Sequence, residues 1–510
     1  MPIPVLHAAQ AAEWDERART AARIPSRVLM EAAGRAVAQL TAREYAALLE
    51  GGVLVVAGHG NNGGDGWVAA RALKAGGVAV WVAELDRERS PDCEANRALA
   101  LAEGVERLEP EGTWPEAAIV VDALLGTGAS GAPQGAIGAL AQRIARHGGP
   151  VVAVDGPTGL DLSTGEAFGP CRAGLTVTFG GVRRGHLLAR DWCGRIVVAD
   201  IGFPPADPAW PVLLTGGEAG ALLPPFDAGM HKGDRGRVVI IGGAEGMAGA
   251  ALHAASAAFA AGAGLVKIAA SPVTVQAAQT MHPDALTVTT ALGPAVEPEL
   301  EEAIGWADAV VLGPGLGRGA ERTALATAVL ERAHVPVVID ADALHTGEAL
   351  KAGEAPRVLT PHPGEFQAAF PALVDVLKAD RFAAASEVAP GVAAEAVLLL
   401  KGVPTVIAAE GRPLRVVASG NPALATGGSG DLLSGFIAAF LARGLHPFDA
   451  AGLGAFTLGR SAELASVQHT VRATRPADVL AAVPELWRQL AKPRPYAPPI
   501  LVELPPPALV

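Results

Sequence analysis

Cysteine is scarce: only Cys93, Cys171 and Cys193 occur in 510 residues, far apart and without C-x-x-C spacing. Neither a disulfide framework nor a structural zinc site is expected, and a reducing cytosol fits that usage. Basic residues are outnumbered, 40 Lys+Arg against 52 Asp+Glu, which argues against a nucleic-acid surface. Small anionic ligands stay open, because backbone amides bind anions whatever the net charge. The N-terminal "MPIPVLHAAQAAEWDERART" lacks a basic stretch followed by an apolar core, so no export signal is expected. Leu- and Ile-rich runs of membrane length are also lacking. The uncharged stretch Met247 to Val266 is long enough to span a bilayer, but it is mostly Ala and Gly and includes His253 and Ser256. It reads as a buried helix followed by the strand "LVKIAA", and no membrane partner is expected.

What the chain does contain is repeated strand–helix alternation, over a length that suits two to four domains. From about residue 50 to 200, the short runs "VLVVA", "VAVWVAE", "AIVVDAL", "VVAVD", "LTVTFG" and "IVVAD" alternate with Ala-rich stretches. Continuous apolar runs mean strands buried on both faces, hence a parallel sheet covered by helices. Ahead of them, Val5 to about Ala47 predicts two helices broken near "IPSR". Prolines cluster between Gly202 and Pro225, which marks a linker. A second series follows: "RVVIIGG", "LVKIAA", "ADAVVLGPG", "VPVVIDAD", "PRVLTP", "AVLLLKG" and "PTVIAA". The expected divisions are residues 1–212, 213–488 and a tail, 489–510, too rich in proline for a regular element.

"GHGNNGGDG", Gly58 to Gly66, follows the first strand and contains G-x-G-x-x-G. With Glu84 and Asp86 at about the distance of a ribose contact, it fits a Rossmann dinucleotide loop. Asp65 speaks against that, since it would set a carboxylate beside the pyrophosphate at the helix N-terminus. Asn61 and Asn62 with Asp65 suit a ribose, an amide or a hard cation; the alternative is a tight glycine turn. Two more loops leave predicted strand ends. "VVDALLGTGASGA" presents Asp122, and "VAVDGPTGLD" presents Asp155, Thr158 and Asp161. One such Asp is often only a helix cap, but three polar loops on one sheet edge point to a ligand.

In the second half, Gly427, Gly428 and Gly430 of "ATGGSGDLLSG" let consecutive N–H groups converge at a helix start, a place for a transferring phosphoryl group. Asp431 there is placed to deprotonate a hydroxyl, or else to serve as an ordinary helix cap.

"GHGNNGGDGWVAAR", "VDALLGTG", "VDGPTGLD" and "GRIVVADIGFP" together resemble the YjeF N-terminal domain, the NAD(P)H-hydrate epimerase family, over roughly residues 5–210. The resemblance implies a potassium ion held by Asn62, Asp122 and Thr158. It implies substrate contacts from Asn61, Asn62, Gly63, Gly64 and Asp65, from Gly126, Thr127, Gly128, Ala129, Ser130, Gly131 and Ala132, and from Asp155. One carboxylate with an amide and a hydroxyl suits a monovalent hard cation. Asp155 is then the natural proton-transfer group, helping the C6 hydroxyl of a hydrated nicotinamide leave and return to the other face.

"LGPGLGR", "VIDADAL", "LTPHPGEF", "LLKGVPTVIA" and "GNPALATGGSGD" resemble, over roughly residues 225–485, the ribokinase-like superfamily and more closely the NAD(P)H-hydrate dehydratase domain. Carried over, Ala250, Gly317, His362 and Asp431 would contact the hydrate, and Lys401, Gly402, Val403, Pro404, Thr405 and Gly430 would bind ADP. His362 also has a plain reading as a loop histidine between prolines. The family usually has small Gly or Ala residues where Val403 and Pro404 stand, and Pro404 has no N–H to offer a phosphate or base. The fold expected is α/β, two three-layer α/β/α domains, Rossmann-like then ribokinase-like. The expected activity is repair of the hydrates NADHX and NADPHX with ADP or ATP and Mg2+, in a cytoplasmic homo-oligomer. A vitamin-precursor kinase with an accessory domain shares "GGSGD" but leaves "GNNGGDG" and "VDGPTGLD" unexplained. A non-catalytic binding protein would not need Asp122, Asp155 and Asp431.

Overall fold

The computed structural model describes residues 2–388, 392, 395–492 and 495–507. The chain divides into two compact units. One runs to Leu213 and takes in the C-terminal segment ending at Pro507; the other starts at Leu214 and includes the last helix, Pro476–Ala491.

The first unit is built on an eight-stranded sheet, in the spatial order Ile500–Leu504, Arg195–Ala199, Leu175–Phe179, Val151–Val154, Ile119–Ala123, Val53–Ala57, Val80–Glu84 and Glu106–Leu108. All neighbours are parallel except the first pair. Alternation along "VLVVA" divides its side chains between two layers. Val53, Val55 and Ala57 pack in one core with Ala33, Val37, Trp67 and Ala70, whereas Leu54 and Val56 pack in another with Leu140 and Ile144. A strand apolar on both faces is thus buried on both, as its composition requires. From Val53–Ala57 the chain moves outward to two strands on one side, then returns to Ile119–Ala123 on the other. The loops after these two strands diverge at that switch point, where open α/β sheets form a ligand crevice.

The N-terminal segment departs from the expected helix pair by one element. Ile3–Leu6 is a short strand, followed by helices Ala8–Thr20 and Ser26–Glu44. The proline-rich tail needs a larger correction. Ile500–Leu504 is a strand, antiparallel to Arg195–Ala199, with Ile500 and Val502 buried and Glu503 paired to Arg43 and Arg195. The prolines flank "ILVEL" without entering it, and an edge strand tolerates them there. Residues 493, 494 and 508–510 of that tail lie outside the described residues.

The second unit repeats the plan. Its strands run Leu286–Thr289, Leu265–Ala270, Arg237–Ile241, Ala309–Leu312, Val337–Ile339, Arg357–Leu359, Ala396–Leu400, Thr405–Ala409 and Arg415–Val417. The first seven are parallel and the last two pairings antiparallel. Val238, Ile240 and Val266 share a core with the alanines of helix Ala248–Ala260 and with Leu432, Phe436 and Ile437 of helix Ser429–Ala442. The uncharged run from Met247 is thus a core helix and then a strand. Among the described residues, no helix is long and apolar enough to cross a membrane.

Candidate active sites

In the first unit, four loops leave the same sheet edge from adjacent strands, after Ala57, Ala123, Val154 and Phe179. They surround a cavity of about 520 Å³ lined by Asn61, Asn62, Asp65, Gly126 to Ala129, Asp155 and Arg183, and by Asp15 and Met30 from the two N-terminal helices. "NNGGDG" is the first turn and a half of helix Asn61–Ala75. Gly63 is required there, because a Cβ would overlap the carbonyl oxygen of Gly58.

Asp155 has φ +64, a conformation costly for a residue with a Cβ and kept only when its surroundings enforce it. Its N–H donates to Val177 O at 2.7 Å, and its carbonyl oxygen lies 2.7 Å from His186 Nε2. Burial pushes the His186 pKa down to about 4, so the neutral ring donates from Nε2 while Nδ1 accepts from Arg183 N at 3.2 Å. On the Asp155 carboxylate, Oδ1 accepts from Thr178 Oγ1 at 3.0 Å and Arg183 Nη2 at 3.2 Å. Oδ2 accepts from Thr127 N at 2.9 Å and from the Thr127 hydroxyl. Burial raises the Asp155 pKa, but Arg183, Thr127 and His186 outweigh it and hold the group below the usual carboxylate range.

Asp122, near the end of strand Ile119–Ala123, is fully buried. It accepts from Thr158 N and Oγ1, both at 2.8 Å, from Leu124 N at 3.3 Å and from Cys171 Sγ at 3.6 Å. Burial pushes its pKa up despite the Thr158 bonds, and among the described residues no cationic side chain pairs with it. Glu84 does not wait for a ribose. It is 1% exposed and paired with Arg89, Arg97 and Arg107, a buried ion cluster. Asp161 accepts from Ser163 N and Thr164 N as a turn residue.

In the second unit, Asp340, Thr360 and Lys401 each follow one of three adjacent strands, so they meet at one level of the sheet edge. Asp340 is buried and accepts from Lys401 Nζ at 2.9 Å, Thr360 Oγ1 at 2.8 Å and Ser434 Oγ at 2.6 Å. Lys401 also pairs with Glu365 at 3.3 Å. Burial opposes its charge, but the two carboxylates more than offset that and raise its pKa. Above this pair begins helix Ser429–Ala442, after Gly428 with φ +97. A methyl on Gly430 would sit 3.4 Å from Lys401 Nζ and 3.7 Å from Asp340 Oδ2. Asp431 follows, and burial with the charges of Asp340, Glu365 and Asp342 pushes its pKa up to about 7, against the pull of Lys401.

Two family models match the chain in succession: one described as YjeF-related protein N-terminus over residues 26–185, and one described as NAD(P)H-hydrate dehydratase over residues 238–485. The bifunctional NAD(P)H-hydrate repair enzyme Nnr of Moorella thermoacetica is 37% identical over 516 residues, 95% of this chain and 96% of that protein. The chain belongs to the bifunctional NAD(P)H-hydrate repair enzyme family. The Escherichia coli repair enzyme is 36% identical over 446 residues, 84% of each chain. The ADP/ATP-dependent NAD(P)H-hydrate dehydratase from Bacillus subtilis, co-crystallized with ATP/Mg2+, is 31% identical, with a TM-score of 0.49 over 54% of this chain and 97% of that one.

For a member of the repair family, the expected substrate contacts of the first unit fall into three groups. Asn61, Asn62, Asp65, Gly126, Thr127, Gly128, Ala129 and Asp155 meet at one cavity. Gly63 and Gly64 are buried in the helix turn beside it, while Ser130, Gly131 and Ala132 are exposed and do not line it. In the second unit, Ala250 and Gly317 lie at the switch point between Arg237–Ile241 and Ala309–Leu312, and Gly317 N donates to Asp342 Oδ2 at 2.9 Å. His362 caps helix Pro363–Ala369, its Nδ1 accepting from Gly364 N and Glu365 N, with its ring more than half exposed. The plain reading of His362 therefore accounts for its Nδ1. Arg381 donates to the carbonyls of Lys401 and Val403, leaving Val403 exposed.

Sequence reasoning missed Arg183, Thr178 and His186 in the first unit, and Asp340, Glu365 and Ser434 in the second. Asp340 and Glu365 stood inside the quoted "VIDADAL" and "LTPHPGEF", Asp340 directly after a strand and Glu365 in the first turn of the helix that follows one, which was the usable signal.

Proposed function

We propose that the first unit interconverts the R and S epimers of NADHX and NADPHX, and that the second returns the S epimer to NAD(P)H at the expense of ADP or ATP with Mg2+. The observation that carries this reading is the pairing of two separate acid constellations, around Asp155 and around Asp431, each at the carboxyl edge of its own sheet.

At the second site hydroxide is a poor leaving group, so it must first be converted. Asp431, whose pKa of about 7 leaves it about half ionised at neutral pH, takes in its ionised form the proton of the C6 hydroxyl as that oxygen attacks the terminal phosphoryl group of the nucleotide. Converging N–H groups around Gly427, Gly428 and Gly430 stabilise the charge on the transferring phosphoryl. Phosphate then leaves with the C6–O electron pair, C5 loses a proton, and the dihydropyridine is restored. Lys401 and Thr405 are the polar side chains of the loop read as the ADP site, with Gly402, Val403 and Pro404 between them. Ala250, Gly317 and His362 are read as hydrate contacts.

At the first site Asn62, Asp122 and Thr158 fit a potassium ion. Asp122 has no cationic side-chain partner among the described residues, and one carboxylate with neutral oxygens suits a single positive charge; the ion would take the place of donors such as the Thr158 hydroxyl and the Cys171 thiol that now occupy the Asp122 oxygens. The ion would fix the loops that hold the hydrate. Asn61 to Asp65 and Gly126 to Ala129 are read as substrate contacts, with Ser130, Gly131 and Ala132 left outside the cavity, and the Asp155 carboxylate as the catalytic group facing the reacting ring. We also expect a cytoplasmic homo-oligomer without nucleic-acid or membrane partners; the three free, buried cysteines fit a reducing compartment.

Adding ADP and then ATP to hydrated NADH while following the dihydropyridine absorbance tests the reading. Recovery of the chromophore with either nucleotide supports it. Nucleotide consumed without recovery would favour a small-molecule kinase with an accessory ligand-binding domain.

A further inference from the structure

Asp155 and Asp65 share one cavity but differ in how their oxygens are used. An ionised carboxylate has about four acceptor positions. On Asp155 all four are taken, by Thr178 Oγ1, Arg183 Nη2, Thr127 N and Thr127 Oγ1. A proton can reach it only by displacing one of those donors. The Asp65 carboxyl lines the same cavity, and among the described residues it accepts no hydrogen bond and joins no ion pair.

We propose that Asp65 carries the proton in epimerisation, while Asp155 stays ionised and stabilises the cation formed at the reacting ring. The proposal rests on the epimerase reading of this cavity and assigns its two carboxyl groups. Asp65 donates its proton to the C6 hydroxyl oxygen. The C6–O bond breaks, its electron pair leaves as water, and the ring nitrogen lone pair forms a C6=N1 iminium. Asp155 balances that charge. Water adds to the opposite face of C6 and loses its proton to solvent, and Asp65 is reprotonated from solvent. In the reverse direction the Asp65 carboxylate takes the proton of the water that adds on its own face.

The electrostatics run the same way. Burial, then the charges of Asp155 and Asp15, push the Asp65 pKa well above the usual range, whereas Asp155 is held below it. Two carboxyl groups driven apart by their environments are what an acid and an anion in one site require. The other titratable groups facing Asp65 are His59 in the loop before its helix, Arg183 beyond Asp155, and Cys93 on helix Pro91–Ala102, whose thiol burial pushes up to about 12. Helix Ser26–Glu44 presents only Ser26, Leu29, Met30 and Ala33 to the cavity.

The test compares the full-length wild type with D65N, D65E and D155N on R-hydrate, coupling epimerisation to dehydration, with calorimetric binding of NADH hydrate as the check on the site. Wild type should lose epimerisation as pH rises through the Asp65 pKa. D65N should lose 10²–10⁴-fold in epimerisation and show no such limb, while D65E keeps part of the rate. D155N should be slower but retain the limb, moved to lower pH, because a like charge beside Asp65 is gone. A D65N rate within tenfold of wild type, or a D65E loss equal to that of D65N with binding intact, would overturn the proposal. A wild type that does not turn over R-hydrate at all would instead sink the epimerase reading.

Discussion

At the scale of single residues, Asp431 links chemistry and stability with opposite signs. Its folded pKa of about 7 lies above the ordinary carboxylate value, so the folded chain holds that proton more tightly than the unfolded one. The contribution to stability is then intact below about pH 4 and is lost as pH rises toward 7. From the size of the shift, the cost above pH 7 is at most about 4 kcal/mol. D431N should therefore melt higher than wild type at pH 8 in scanning calorimetry, with the difference closing near pH 4. Dehydration in the same variant should fall by orders of magnitude while epimerisation persists. In wild type, dehydration should rise with pH through about 7; a flat profile from pH 5 to 9 would remove Asp431 as the base. Asp122 supplies the second residue-scale prediction. Read as a potassium ligand together with Asn62 and Thr158, it makes hydrate binding depend on the ion. Exchanging potassium for lithium should then weaken hydrate binding without unfolding the sheet, and an ion-free, fully active epimerase would contradict that.

At the scale of elements, periodicity made most of the architecture legible. "VLVVA", "AIVVDAL" and "VVAVD" each became a parallel strand buried on both faces, because a short run apolar at nearly every position has no face to give to water. Loops at the ends of those strands were legible for the same reason, since a Gly- or Asp-rich break can fall only at a sheet edge. "ILVEL" was not legible. Its own composition is strand-like, but the flanking prolines masked it, and its partner Arg195–Ala199 is some 300 residues earlier in the chain. Local reasoning has no access to such a pairing. The packing of Ile500 and Val502 gives the tail a testable weight. Burying two such side chains contributes roughly 3–5 kcal/mol, and Glu503 adds its arginine pairs. Removing residues 495–510 should lower the urea midpoint of the epimerase half and leave an unpaired, apolar strand edge prone to association. An unchanged midpoint in equilibrium unfolding would mean that the strand is an ornament of the fold.

At the scale of the whole molecule, two sites on two sheets imply two activities separable by single substitutions. The order of motifs made that division readable. The polar networks behind each site were hidden, because Arg183 reaches Asp155, and Lys401 reaches Asp340, only through strand neighbours distant in the chain. Those networks set how separable the activities should be. Asp155→Ala removes the anion at the reacting ring and leaves Arg183 in the cavity without its carboxylate, so epimerisation should fail. The Asp340–Lys401–Asp431 group belongs to the other unit and keeps every partner. Given equal R and S hydrates with excess nucleotide, the variant should consume the S epimer at the wild-type rate and then stall near half conversion, apart from slow spontaneous epimerisation. Wild type should run to completion. Passage through the halfway point at an undiminished rate would leave Asp155 a turn residue held at positive φ for structural reasons alone. Loss of both phases would mean that the two units depend on one another to fold, and the melting profile of the variant would then show a single, lowered transition.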